Sequence, residues 1–167
     1  MGEKIDWQRH YNELLPKVFR FFWFKVGDRS LSEDLAAATF EKAWKSRERF
    51  REDLGEFDGW VFGIARNVVS DHFRSQKPQE NFDEPCLASP SRQIENEVEK
   101  LDDFARLQQI VITLDSRERD LISYKYGAEL TNRQIAHLTG LSESNVGVIL
   151  FRAVEKLRSQ WKVGKNE

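Results

Sequence analysis

Apolar residues recur three and four positions apart over two long stretches of this chain, and this spacing constrains the fold more than any other feature. Such a period is typical of helices that bury one face, and the period-two alternation of a half-buried strand is absent from both stretches. The segment between them, Pro78 to Asn96, contains three of the four prolines and no sustained apolar period. The pattern predicts an all-α protein with two small helical domains joined by a flexible linker.

The chain is divided into a first unit at residues 1–77, a linker at 78–96 and a second unit at 97–167, and the charges follow nearly this division, with the acidic stretch reaching residue 103. Residues 1–77 carry 14 basic and 13 acidic groups, residues 78–103 carry 2 and 8, and residues 104–167 carry 10 and 7. The linker is therefore acidic, and the net charge of −2 conceals two slightly basic ends. A weakly negative total does not exclude nucleic acid as a partner when the acid is concentrated between the two units.

Three helices are predicted in the first unit. Their expected ranges are Trp7 to Val26, Ser32 to Arg49 and Gly59 to Ser75. Gly27 is placed to end the first helix in a left-handed conformation. Ser30 followed by Glu33 fits a capping box for the second helix.

The second unit is predicted to contain four helices. The first spans 96–114 with one buried stripe formed by Val98, Leu101, Ala105, Ile110 and Leu114. Asp115 is expected to cap a helix that continues to about Tyr126. Thr131 and Ser142 are the predicted N-caps of the last two helices, and Gly140 lies where the chain must turn sharply between them.

The last two helices have the spacing of a DNA-binding helix-turn-helix. A small residue, Ala136, permits close crossing, and Val146 is expected to fill the angle between the helices. Further apolar residues have the same helix-turn-helix spacing: Ile135, Leu141 and Ile149. A helical wheel directs Val146, Leu150, Ala153 and Leu157 inward and leaves Ser144, Val148, Phe151, Arg152 and Glu155 outward. Only Arg152 is basic on that outer row, so reading of bases is expected to depend on phosphate contacts, DNA shape or thymine methyl groups. A plain helical hairpin is the alternative for this segment alone.

The first unit holds 13 of the 17 Phe and Trp residues, and most of these are expected in its core. On the third helix, the residues Trp60, Asn67, Asp71 and Arg74 share a second face, apart from the apolar one. An aromatic ring, an amide and an arginine on one face suit stacking on bases and contact with phosphates of a single strand. The segment Phe50 to Asp58 is a candidate loop for holding an unstacked base.

Patterns that carry catalysis or metal binding are not found. Cys86 is the only cysteine, and the histidines, His10, His72 and His137, lie on separate segments without partners at ligand spacing. No glycine-rich phosphate loop and no nucleophile–base motif occurs. We therefore expect no metal, no cofactor and no enzymatic activity.

The apolar runs are much shorter than the roughly 18–20 residues that span a bilayer. The first ten residues also lack the apolar core of a signal peptide. The chain is therefore expected to be cytoplasmic, without membrane insertion.

Residues 12–76 and 105–161 resemble conserved regions two and four of the extracytoplasmic-function sigma factors, a class of the sigma-70 family. Three segments carry the resemblance, in family order: GDRSLSEDLAAATFEKAW, FDGWVFGIARNVVSDHFR and LDSRERDLISYKYGAELTNRQIAHLTGLSESNVGVILFRAVEKLR. The resemblance implies a subunit that binds core RNA polymerase, directs it to promoters and promotes DNA melting, without being an enzyme. It also implies contact with the clamp of the largest polymerase subunit and the flap of the second-largest, and it makes an anti-sigma factor a candidate partner.

The resemblance assigns three sets of residues. Polymerase binding is implied for Asp34, Leu35, Thr39, Phe40 and Trp44. Recognition and melting of the minus-ten element are implied for Lys42, Phe50, Trp60, Arg66, Asn67, Asp71 and Arg74, with the Phe50 loop taking a flipped base. Binding of the minus-thirty-five element is implied for Thr131, Ser142, Ser144, Asn145, Gly147, Val148, Phe151 and Arg152.

The sequence departs from the family pattern at two places. Ala37 and Ala38 stand where a Gln and a Glu commonly precede the threonine of the polymerase-binding helix. Gly147 and Ile149 stand where basic residues are frequent, although Arg152 matches. A stand-alone helix-turn-helix regulator that needs no polymerase is the main alternative, and a helical adaptor or enzyme using the surroundings of Trp60 is the second.

Overall fold

The structure is a computed structural model, and it describes residues 5–76 and 98–164. The described residues form helices and tight turns without a strand, which confirms the all-α prediction. The helices are α1 (Trp7–Val26), α2 (Arg29–Lys45), α3 (Phe57–Gln76), α4 (Val98–Val111), α5 (Ser116–Ile122), α6 (Asn132–Thr139) and α7 (Glu143–Val163). The predicted linker at 78–96 lies outside the described residues. Among the described helices, none is both long and apolar enough to cross a membrane.

Helices α1, α2 and α3 form the first unit around an aromatic and aliphatic core. Its fully buried side chains include Leu14, Val18, Phe21, Phe22, Val61, Phe62 and Val69. The rings of Phe21 and Phe62 meet edge to face, with centroids 5.7 Å apart. The core therefore fixes α3 against α1, and the outer side of α3 is left at the surface.

The predicted capping box at Ser30 and Glu33 is wrong, because the helix begins earlier. Asp28 is the N-cap of α2, and its carboxylate accepts a hydrogen bond of 2.8 Å from the backbone N–H of Leu31. Ser30 lies inside the first turn of the helix. An aspartate caps as well as a serine, so the earlier cap takes the position. Gly27 ends α1 with φ of 75°, as predicted.

The second unit contains α4 to α7, and its helix-turn-helix forms as predicted. Thr131 and Gln134 make a complete capping box at the start of α6. Gly140 ends α6 in the left-handed region with φ of 75°. The hydroxyl of Ser142 then caps α7 by accepting from the backbone N–H of Asn145 at 3.1 Å.

Helix α5 passes directly into a π-helical turn, Ser123–Gly127, which the sequence pattern did not predict. This turn brings Tyr124 into the interior, where only 2% of its surface is exposed. Burial raises the pKa of the Tyr124 phenol above its ordinary value. The Tyr124 ring stacks on Phe21 of the first unit, so the two units are packed against each other.

The N-cap of α7 provides a test of how the second unit is built. Replacing Ser142 with alanine removes the hydrogen bond to the Asn145 N–H and is expected to lower the free energy of unfolding by about 1 kcal/mol. Ser144→Ala is the matched control, because Ser144 is exposed two residues further on and caps nothing, so its effect should stay within about 0.5 kcal/mol. Chemical denaturation monitored by circular dichroism measures both. Equal effects of the two substitutions would contradict the assigned cap.

Candidate nucleic-acid and polymerase interfaces

The second stripe of α3 is at the surface, as its periodicity predicted. Asn67, Asp71 and Arg74 are exposed and Trp60 is half-buried, whereas Val61, Ala65 and Val68 on the inner face are buried. Asp71 lies between two cations, with its carboxylate 3.6 Å from the ammonium of Lys42 and 3.6 Å from the guanidinium of Arg74. All three side chains are more than half exposed, so these ion pairs contribute little to stability and leave the cations available to phosphates.

The ring of Phe50 is half-buried in an aromatic cluster rather than projecting from a loop. Its centroid lies 5.3 Å from that of Phe57 and 5.3 Å from that of Trp60. Trp7 of α1 packs edge-on against Phe57 at 5.2 Å and against Trp60 at 6.2 Å. Two short 3-10 turns, Arg47–Arg49 and Glu52–Leu54, carry the chain around this cluster. The cluster holds Phe50 and Trp60 together at the α2–α3 connection.

Arg66 lies away from the other predicted minus-ten residues. Its guanidinium donates a hydrogen bond to the backbone carbonyl of Leu138 in α6. On a helical wheel Arg66 is about 120° from Trp60, so the two side chains leave α3 on different sides. The sequence pattern gave no sign that this arginine meets the second unit.

The five predicted polymerase-binding residues divide between the core and the surface. Leu35 is 5% exposed, and Thr39 is fully buried, with its hydroxyl donating to the Leu35 carbonyl at 2.8 Å. Asp34 is exposed, and Trp44 is 51% exposed with the guanidinium of Arg47 4.2 Å above its ring. Phe40 is half-buried, and its ring lies 4.8 Å from that of Tyr11.

An open groove of about 330 Å³ follows this part of α2. It is lined by Trp7, Gln8, Tyr11, Phe40 and Trp44. Sequence reasoning assigned Phe40 and Trp44 to this surface and missed the α1 residues. Trp7 and Tyr11 are four positions apart and therefore share one side of α1, which is the signal that identifies them.

The predicted minus-thirty-five residues lie on the outer side of the helix-turn-helix. Val146 and Leu150 are buried against α6 and α5, whereas Val148 is 46% and Phe151 is 68% exposed. Gly147 is half-buried, and the remaining predicted residues are exposed: Thr131, Ser142, Ser144, Asn145 and Arg152. The predicted residues on α7 therefore present two apolar side chains, one arginine and short polar groups to the solvent.

Two models of one protein family match the chain. Residues 10–79 match sigma-70 region 2, and residues 112–159 match sigma-70 region 4. Together they cover most of the chain, in the order that the three sequence motifs predicted. The first contains the exposed stripe of α3, and the second contains the helix-turn-helix.

Curated relatives resemble the chain over nearly its whole length. The sigma factor BldN of Streptomyces coelicolor is 26% identical over 159 residues, which cover 93% of this chain and 60% of BldN. The sigma factor SigM of Bacillus subtilis is 25% identical over 158 residues, which cover 94% of this chain and 96% of SigM. Both are named as extracytoplasmic-function RNA polymerase sigma factors.

A solved structure shares the fold of both units. The sigma factor RpoE of Bartonella quintana, crystallised with the anti-sigma factor NepR, aligns with a TM-score of 0.72 at 21% identity, covering 95% of this chain and 98% of RpoE. At this identity the likeness concerns the fold alone. Together with the two family regions in their order and with the named relatives, it leads to one conclusion: the chain belongs to the extracytoplasmic-function class of the sigma-70 family.

Proposed function

We propose that this sigma factor binds core RNA polymerase, directs it to specific promoters and promotes melting of the DNA at the start of transcription. The observation that carries the proposal is the presence, in one chain, of region 2 with the exposed stripe of α3 and region 4 with an exposed outer row on α7. A protein that only reads duplex DNA needs region 4 and not region 2. The predicted units at 1–77 and 97–167 are the parts that would read the minus-ten and minus-thirty-five elements.

Melting would be driven by binding energy and not by a reaction catalysed by this chain. Trp60 offers a ring for stacking, Asn67 an amide for base edges, and Lys42 and Arg74 cations for phosphates. Stacking on one aromatic ring contributes about 1–3 kcal/mol per base. Capture of unstacked bases on this stripe favours the separated strands, and the aromatic cluster around Phe50 sets where the first base is taken.

Polymerase binding would use the surface that α2 and α1 share. Trp44 and Phe40 offer aromatic area in a groove, Asp34 offers charge, and buried Leu35 and Thr39 hold the helix in place. Large aromatic residues at a concave surface are frequent centres of binding energy. The clamp of the largest polymerase subunit is the proposed occupant, and the flap of the second-largest is proposed to meet the second unit.

An anti-sigma protein is a further proposed partner. RpoE of Bartonella quintana was crystallised with the anti-sigma factor NepR. Co-purification of this chain from its native cell, followed by mass spectrometry, tests for such a protein. Recovery of core polymerase subunits alone would count against it.

The direct test is run-off transcription from a genomic promoter library with core polymerase. Core polymerase with this chain should give promoter-specific transcripts that core polymerase alone does not. A chain that binds core polymerase yet starts transcription nowhere would overturn the proposal. Tight duplex binding by the purified chain without polymerase would favour the stand-alone regulator instead.

Asn67 tests the role of the α3 stripe. Replacing it with alanine removes an exposed amide that would hydrogen-bond a base. Loss of one hydrogen bond costs about 1 kcal/mol, so the rate of strand opening is expected to fall about fivefold. Gln76→Ala removes an amide at the exposed end of α3, off the stripe, and should leave opening unchanged. Permanganate footprinting of the holoenzyme on a linear promoter measures both variants. Equal opening by wild type and Asn67→Ala would remove this residue from the site.

Phe151 tests how α7 reads DNA with one arginine on its outer row. Phe151→Ala removes a ring that is exposed and can contact a thymine methyl group. The affinity of the holoenzyme for promoters with thymine in the minus-thirty-five element is therefore expected to fall about tenfold. Val163→Ala is the control, since Val163 is 65% exposed on the same helix but outside the row. Competition binding of promoter fragments gives the comparison. An effect of the same size on fragments without the element would contradict a role in reading it.

Trp44 tests the polymerase-binding surface. Trp44→Ala is expected to weaken the affinity for core polymerase at least tenfold, because an aromatic side chain at the centre of an interface commonly contributes 2 kcal/mol or more. Phe73→Ala is the matched control, since that ring is 38% exposed on α3, outside the groove. Fluorescence anisotropy of labelled protein titrated with core polymerase measures the affinities. Unchanged affinity of Trp44→Ala for core polymerase would show that the polymerase-binding surface does not include this groove.

A further inference from the structure

The C-terminal end of α7 is attached to α4 by the side chain of Arg106. Its guanidinium donates a hydrogen bond of 2.7 Å to the backbone carbonyl of Trp161. The same guanidinium lies over the indole ring of Trp161, with its carbon atom 4.3 Å from the ring centroid. One side chain of α4 therefore contacts both the backbone and the ring of a residue in the last turn of α7.

The last carbonyls of a helix have no partner further along the helix, and a cation close to them is also attracted by the helix dipole. In α7 the backbone N–H of Gly164 donates to the carbonyl of Gln160. The next carbonyl, that of Trp161, accepts from Arg106. Beside them, the hydroxyl of Thr113 lies 3.1 Å from the side-chain oxygen of Gln160. The end of α7 is thus held by α4 and by the turn that follows α4.

Gly164 leaves room for the guanidinium of Arg106. The φ of Gly164 is −74°, which any residue adopts, so the backbone does not require a glycine there. A Cβ atom at this position would overlap Nη2 of Arg106 and lie 3.2 Å from its Cζ. The guanidinium is the far end of a flexible side chain. A larger residue at position 164 would therefore displace it from Trp161 and leave the fold intact.

Burial secures only the first half of α7. The residues buried along it are Val146, Leu150 and Ala153, and the ten residues after them, 154–163, are all half-buried or exposed. In the middle of the helix, the ammonium of Lys156 lies 2.6 Å from the carboxylate of Glu118 in α5, whose side chain is 9% exposed. From there to its end, α7 depends on half-buried side chains and on the polar contacts with α4.

The reading of bases is sensitive to the tilt of α7. Ser144, at the start of the outer row, lies six residues before Leu150, in the middle of the buried segment. This is about 9 Å along the helix, so a tilt of about 5° moves that end by about 0.8 Å. A binding site must hold its side chains to within about 0.5 Å of the productive geometry. Contacts with base edges are therefore lost at displacements that attraction to phosphates tolerates.

We propose that Arg106 is a positioning residue for reading of the minus-thirty-five element: it holds the far end of α7 on α4 and thereby sets the tilt at which the outer row of α7 meets the bases. The proposal rests on the proposed function, since reading of that element by α7 belongs to it. Arg106 acts through Trp161 and not on DNA. Its loss should therefore lower discrimination between promoters and leave the affinity for core polymerase unchanged.

The test measures discrimination by the holoenzyme, defined as the ratio of its affinities for a promoter fragment with the element and for the same fragment with the element scrambled. Arg106→Ala should lower this ratio about fivefold, the lower end of the cost of one mismatched base pair. Arg106→Lys should recover part of the loss, because an ammonium still donates to the Trp161 carbonyl but lacks the planar guanidinium. Gln109→Ala is the matched control, exposed on the same helix, and should leave the ratio unchanged.

Gly164→Ala tests the same contact without altering either of its partners. It should lower discrimination as much as Arg106→Ala does, because the added methyl group displaces the guanidinium. The two substitutions together should then cost no more than one of them. Additive losses would overturn the proposal, because Gly164 would act independently of Arg106. Unchanged discrimination in both single variants would overturn it as well.

Two further comparisons separate positioning from stability and from polymerase binding. All variants are measured at a temperature at which circular dichroism shows them folded, so that a loss of stability does not lower the ratio. An equal loss of affinity for the intact and the scrambled fragments would contradict a positioning role, as would weaker binding of Arg106→Ala to core polymerase. Failure of the proposed function would show differently, as wild-type holoenzyme without promoter-specific transcripts.

Discussion

The structure depends on burial of α1 along most of its length and on more than one side. Phe22 and Val18 pack into the first unit, while Phe21 turns toward Tyr124 of the second. A helix that is apolar on several sides must find more than one partner. The aromatic residues between Phe19 and Phe24 therefore fill the core of the first unit and also form the surface against which the second unit packs.

Local signals in the sequence predicted the parts of the fold that local chemistry decides. The ends of α1, the caps at Thr131 and Ser142 and the turn at Gly140 all form as predicted, because each involves residues within four positions of one another. The start of α2 was wrong by a few residues because Asp28 competes with Ser30 for the cap. The predicted buried stripe of α4 was wrong at Ala105, which is exposed. The neighbouring Phe104 faces the first unit instead, because its ring packs against Trp23.

Periodicity identified which side chains of the candidate sites reach the surface but not what each one meets there. The exposed row of α7 and the stripe of α3 were predictable because their inner faces are strongly apolar. Burial of Leu35 agrees with the amphipathic spacing of α2, whereas the burial of Thr39 and the hydrogen bond from Arg66 to α6 were not predictable from spacing. They depend on packing between segments far apart in sequence, which no local period records.

The composition of α7 favours a DNA reader that works with a partner over one that works alone. Affinity for duplex DNA depends mainly on cations at phosphates, yet the outer row contains only Arg152, beside the apolar Val148 and Phe151. Such a surface discriminates between bases more than it attracts DNA. A partner that supplies the general attraction to DNA lets a weakly charged helix select the site.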